Sequence, residues 1–214
     1  MNAMGPMLRR ILALVVAATV FHVAPALAQE APDALVKRVA EDVLAAIKSD
    51  PQIQAGNPAR IREVIEVKLV PNFDFTRITA LAMGRNWRTA TPEQQKRLTD
   101  EFRGLLVRTY SGAVSQYRNE RIDYKPLKIG PADTDVVVRT AVIRANGPPV
   151  PMDYSMEKTP DGWKCYDVVV GGVSLVTNYR DEFNQQVQSG GVDGLIKSLA
   201  AKNAAPTPPP PALK

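Results

Sequence analysis

Asp167 stands out as a candidate for acid–base work, because it interrupts an otherwise apolar run, Tyr166-Asp167-Val168-Val169-Val170. An acid in such a strand must point outward or be hydrogen-bonded in the interior. No base or nucleophile accompanies it, so its expected role is structural, pinning the following turn, rather than catalytic. Glu41, Asp42, Glu63, Glu66, Asp100 and Glu101 fall on polar helix faces and read as solvated charge, not as paired acid and base. Gly171-Gly172, after a strand, resembles the start of a phosphate-binding turn. The full glycine fingerprint is missing and the setting is antiparallel, so a tight strand-to-helix junction is expected. Cys165 is the one cysteine; mid-strand and without a partner thiol, it reads as a small buried hydrophobe. The one histidine, His22, lies in a segment read below as removed. Without it, Ser/His/Asp and Cys/His triads and His-rich zinc sites have no members. No catalytic residue, metal ligand or cofactor is assigned, and an enzyme is not expected.

The elements that would position any site begin after residue 28. Arg9 and Arg10, the apolar run from Ile11 to Val20 and the small-x-small triplet Ala26-Leu27-Ala28 read as a cleavable secretory signal over residues 1–28. The run is shorter than the roughly 20 residues that span a bilayer, and no Cys stands at the cleavage point for lipidation. The expected product is free in a periplasm. Removing two arginines and no acid from 27 basic and 22 acidic residues leaves a net charge of +3, too mild a balance to imply nucleic acid binding. Residues 203–214, NAAPTPPPPALK, read as a solvated proline-rich tail, which leaves one domain over residues 29–202.

That domain starts helical. Leu35, Val36, Val39, Val43 and Ile47 recur at helical spacing between Pro32 and Pro51. Asn57-Pro58 starts a second helix with Ile61, Val64, Ile65 and Leu69 on its apolar face. A third runs from about Asp74 to Met83, with Gly84 as its stop, and Thr91-Pro92-x-Gln94 opens the longest, whose stripe runs from Leu98 to Tyr117. The period then becomes two: Ile122 to Ile129, Asp135 to Ala145, Val150 to Lys158 and Gly162 to Val170 read as strands of an antiparallel meander. Helix returns from Val173 to Gln188 and again after Ser189-Gly190-Gly191. The fold class is α+β, about four antiparallel strands against a helical layer.

Along the third strand Val150, Met152, Tyr154 and Met156 share one face, opposite Asp153, Ser155 and Glu157. Tyr110 and Tyr117 come from the long helix. Such a stripe is either filled core or the wall of a ligand cavity, and periodicity does not separate the two.

The stretches Leu69 to Tyr117, LVPNFDFTRITALAMGRNWRTATPEQQKRLTDEFRGLLVRTYSGAVSQY, and Trp163 to Phe183, WKCYDVVVGGVSLVTNYRDEF, followed by GGVDGLIKSL, resemble the periplasmic phospholipid-binding MlaC family, also called toluene-tolerance auxiliary transport proteins. The resemblance runs from the signal to about residue 200 and leaves out the proline tail. It implies a curved sheet backed by helices, a cystatin-like or nuclear-transport-factor-like cone with a lipid cavity. It also implies a monomeric shuttle that carries glycerophospholipid between an outer-membrane lipoprotein complex and an inner-membrane ABC transporter bearing an MCE-domain ring, so maintaining outer-membrane lipid asymmetry. The family pocket maps here to Phe75, Ile78, Leu81, Leu106 and Tyr110 of the helices, to Val138, Val142, Met152, Tyr154, Met156 and Val168 of the strands, and to Val173, Leu175 and Val176. A glutamate at Val173 is then expected to abolish lipid binding and spare the fold. Arg77, Arg85, Arg88, Arg118 and Arg121 are candidates to steer a phosphate or an acidic partner, against ordinary solvated charge. Two other readings stay open: a carrier of a hopanoid or other isoprenoid lipid, and an adaptor with a filled core and no ligand.

Overall fold

The computed structural model describes residues 29–114, 120–144 and 147–205. The segment read as an export signal lies outside them, as do residues 206–214 of the tail, Tyr117, Arg118 and Asn146.

Capping residues set the helix starts. Helix α1 (Pro32–Ser49) opens on a proline in its first turn and buries Leu35, Val36, Val39, Val43 and Ile47. Asp50 then accepts hydrogen bonds from the Gln52 and Ile53 N–H groups at 2.9 and 3.3 Å and so starts the short α2 (Pro51–Gln54). Asn57 does the same for α3 (Pro58–Val64), which tightens and widens through a π turn, Ile65–Leu69, and a 3-10 turn, Val70–Asn72. The Asp74 carboxylate caps α4 (Phe75–Met83) through the Arg77 N–H at 2.8 Å, and Gly84 ends it at φ 54°. The Thr91/Gln94 capping box is reciprocal, at 3.0 and 3.3 Å, and opens α5 (Pro92–Val114).

Among the described residues five antiparallel strands follow in simple order: β1 (Arg121–Tyr124), β2 (Asp135–Ile143), β3 (Val150–Thr159), β4 (Gly162–Val170) and β5 (Val173–Ser174). The fifth strand replaces the start of an expected helix. Gly171 and Gly172 both take positive φ, 57° and 87°, a conformation that suits a two-residue hairpin, and Val173 folds back to pair with Val170. A 3-10 turn, Thr177–Tyr179, then leads into α6 (Arg180–Ala204). The expected break at Ser189-Gly190-Gly191 is a kink within α6, with Gly191 at φ 67°, ψ −174°. Helix α6 extends past residue 202: the Asn203 side chain donates to the Glu101 carbonyl at 2.9 Å, and Arg108 donates to the carbonyls of Asn203 and Ala205.

Among the described residues three buried clusters form. One is mostly helical: Ile78 and Ala82 of α4, Leu98 and Phe102 of α5, and Phe183, Leu195 and Leu199 of α6 meet, together with Val176 of the turn after β5. A second lies between α1 and the sheet and contains Leu35, Val39, Val138, Met156, Trp163 and Cys165. The third links α1, α2 and α3 to Val107 of α5.

Candidate functional site

Between α1 and the inner face of the sheet the side chains leave a cavity of about 270 Å³. Its wall on one side is α1, from Leu35 through Val39 and Val43 to Ile47, continued by Ile65 and Leu69 of the π turn. On the other side are the inward residues of the sheet. Met152, Tyr154 and Met156 alternate along β3 as a pleated strand requires. A register shift between Ser155 and Met156 changes the parity of β4, so Cys165 and then Val168 and Val170 face inward. Phe75 and Ile78 of α4 and Leu106 and Tyr110 of α5 close the side.

Of the residues expected in the pocket, Phe75, Ile78, Leu106, Tyr110, Val142, Met152, Tyr154, Met156, Val168, Leu175 and Val176 line this one cavity. Leu81, Val138 and Val173 do not. Leu81 is one turn further along α4 and packs against the helical cluster. Val138 points inward but is completely covered by its neighbours, so no space is left above it. Val173 is 54% exposed, because the Gly-Gly hairpin swings it outside the wall, and a charge there does not enter the cavity. The α1 wall was missed. Its stripe is plain in the sequence, but a stripe facing a void has the same period as one facing other side chains. The usable signal was its composition, which is aliphatic with no aromatic residue from Leu35 to Ile47.

Asp167, in the wall, bonds locally through one oxygen, while its Oδ1 is buried with no hydrogen-bond partner among the described residues. Asp167 Oδ2 accepts from the Ser174 hydroxyl at 2.6 Å, and Ser174 Oγ accepts in turn from the Val176 and Thr177 N–H groups at 3.2 and 2.9 Å. Asp167 therefore holds β5 and the turn that places Leu175 and Val176. The Cys165 thiol donates to the Asp167 carbonyl at 3.2 Å, and burial pushes its pKa up, which keeps it from acting as a nucleophile. Burial also raises the phenol of Tyr110, which is paired with Tyr179. Among the described residues, no group of three or more His, Cys, Asp or Glu side chains is placed to hold a metal.

Arg77 is occupied elsewhere. It pairs with Asp135 at 2.8 Å and with Glu157, and its guanidinium lies 3.6 Å from the centre of the Tyr166 ring. These partners alternate with Val136, Met156 and Cys165, which puts Arg77 on the sheet's outer face. Tyr166 also donates to Asp135 at 2.7 Å, and burial followed by that bond raises its pKa to about 12. Arg85, Arg88 and Arg121 are exposed. No helix among the described residues is long and apolar enough to cross a membrane.

Comparison with known proteins bears on this cavity. The chain is 29% identical over 195 residues to toluene tolerance protein ttg2D of Pseudomonas putida, covering 87% of this chain and 90% of that protein. It is 23% identical over 184 residues to the intermembrane phospholipid transport system binding protein MlaC of Haemophilus influenzae, covering 85% and 86%. A phospholipid-binding protein from Ralstonia solanacearum, solved in complex with a phospholipid, superposes with a TM-score of 0.74 at 46% identity, over 80% of this chain and 96% of that one. The α+β fold with its antiparallel sheet is shared with that structure. Residues 37–201, which include every wall of the cavity except its first two α1 positions, match the MlaC protein family model, and the chain belongs to that family.

Proposed function

We propose that the protein binds a glycerophospholipid by its acyl chains in the cavity between α1 and the sheet, and carries it through the periplasm between an outer-membrane lipoprotein complex and an inner-membrane ABC transporter with an MCE-domain ring. One observation carries the reading: an apolar void of about 270 Å³ beside a helical core whose Leu98, Phe102, Phe183, Leu195 and Leu199 are fully buried. A hollow lined by so much apolar surface gains free energy when hydrocarbon rather than water covers that surface, at roughly 25 cal/mol per Å², which favours an apolar occupant. The phospholipid transport and phospholipid binding named for the Haemophilus and Ralstonia relatives support the identity of the occupant.

The energetics suit a carrier. Burying methylenes gains about 0.8 kcal/mol each, so roughly 30 of them gain on the order of 20 kcal/mol against water, and escape into the aqueous space is slow. Exchange with a bilayer replaces one apolar medium by another, with a net change near zero. Direction then comes from docking partners and from ATP hydrolysis elsewhere, and this chain need supply only the wall. Asp167 and Ser174 contribute by holding the β5 turn, not by chemistry.

Lipid extraction from protein purified out of cells, followed by mass spectrometry, tests the reading. Stoichiometric phospholipid is the expected result. A polycyclic isoprenoid in its place would redirect the substrate class, and protein that is folded, monodisperse and free of lipid would end the carrier reading.

A further inference from the structure

We infer that the closed end of the cavity, where Cys165 and Trp163 meet, sets the longest acyl chain the protein holds fully shielded. This rests on the acyl-chain reading above and adds a selectivity to it. The cavity wall follows α1 from Leu35 to Ile47, twelve steps along the helix, which at 1.5 Å per step is about 18 Å. One leaflet of a bilayer holds hydrocarbon about 15 Å deep, half of a core of about 30 Å. The hollow is therefore as long as an ordinary membrane acyl chain, with little slack.

Its end beside Leu35 is shut by rigid parts. Cys165 and Trp163 stand two residues apart on the same face of β4 and are 3% and 5% exposed, yet only Cys165 lines the cavity. The space stops between them, with the indole filling what would be the next step. Met156, opposite Cys165 in the register, completes this floor. The floor is bound into the sheet on both sides: Phe73 bridges to Cys165 across the free edge of β4, and the Asp74 N–H donates to the Cys165 carbonyl at 2.9 Å. Loop motion cannot deepen it. At the other end, where Ile47 clusters with Val107, the wall includes Glu120 and Ser111, whose hydroxyl donates to the Val107 carbonyl.

A chain that fits gains affinity with each carbon, about fourfold per methylene removed from water. A longer chain must buckle or leave its first methylenes outside, and the gain stops. Referred to monomeric lipid in water, the affinity of the purified protein, stripped of lipid and offered saturated phosphatidylcholines that differ only in chain length, should climb and then level off. Trp163→Leu, which opens space below Cys165, should move the plateau to longer chains. Cys165→Leu, which raises the floor, should move it to shorter ones, and lipids co-purified from cells should shift in the same directions. A profile without a plateau in the wild type, or an unmoved plateau in folded variants that still bind lipid, would overturn the inference. Absence of lipid binding by the wild type would instead overturn the carrier reading. Circular dichroism checks folding, and where one variant does not fold the direction of the shift in the other decides the matter.

Discussion

Two regions of this molecule are both built from apolar side chains and reach opposite ends. Where α4, α5 and α6 meet, Phe102 stacks edge-on to Phe183 and Tyr179 at 4.9 and 5.0 Å, and Leu98, Leu195 and Leu199 leave no space. Between α1 and the sheet, Leu35, Val36 and Val39 pack against Val138, Met156, Trp163 and Cys165, and further along the same face the side chains leave a hollow. Rings stacked edge-on close one interface, whereas at the other Phe73, Phe75, Tyr110 and Tyr154 stand around the hollow among aliphatic side chains. A hollow is thus made by where the backbone is held and by which residues are kept out, not by polarity.

Four measurements test this contrast, from the largest effect down. Truncating the filled side, Phe102→Ala, should lower unfolding free energy by about 3–5 kcal/mol in urea titrations, with lipid content per folded molecule unchanged. A much smaller loss would mean that this side is also loosely packed. Stripping the bound lipid should cost about 3 kcal/mol of apparent stability when lipid had stood roughly a hundredfold above its Kd, seen as a lower Tm that returns on reloading. Equal Tm before and after would place the occupant outside the hollow. Third, Val168→Glu puts a carboxylate in the cavity wall and should reduce lipid occupancy more than tenfold, while Val173→Glu, on the exposed side of the hairpin, should leave it as it was.

The smallest effect concerns the joint at the end of α1. A hydrogen bond from Arg60 at 2.6 Å, aided by the Gln52 and Ile53 N–H groups, holds the Asp50 carboxyl below the usual carboxylate range. Its folded pKa is depressed, so its contribution is fully present above the ordinary value of about 3.9 and is lost as pH falls through the folded one. Asp50→Ala should lower Tm slightly and by a constant amount near neutrality, and that difference should shrink below about pH 4. A difference that persists in stronger acid would assign the effect to α1 packing and not to the carboxylate.

Most elements were legible because their signals are local. Caps at Asn57, Asp74 and Thr91/Gln94, and the alternation from Met152 to Met156, each need only a few neighbouring residues to be read. The fifth strand was not legible as such, since two residues are too short for any period, although the paired glycines carry the hairpin signature. The pocket was legible on the strand side and not on the α1 side. Which apolar stripe meets a void depends on the spacing between α1 and the sheet, and that spacing is set by connections far from either. Val138 and Val173 show the same limit in opposite directions, one covered over and the other turned outward by contacts no local pattern contains.

The chain has two tryptophans, and the fold puts one in each half. Trp87 packs beside the filled helical cluster, while Trp163 lies directly beneath the floor of the hollow. The molecule therefore has a built-in optical gauge. Indole emission from Trp163 should respond as the space above it empties and fills, while that from Trp87 stays constant as a reference, so loading and delivery can be followed in real time without attaching a dye.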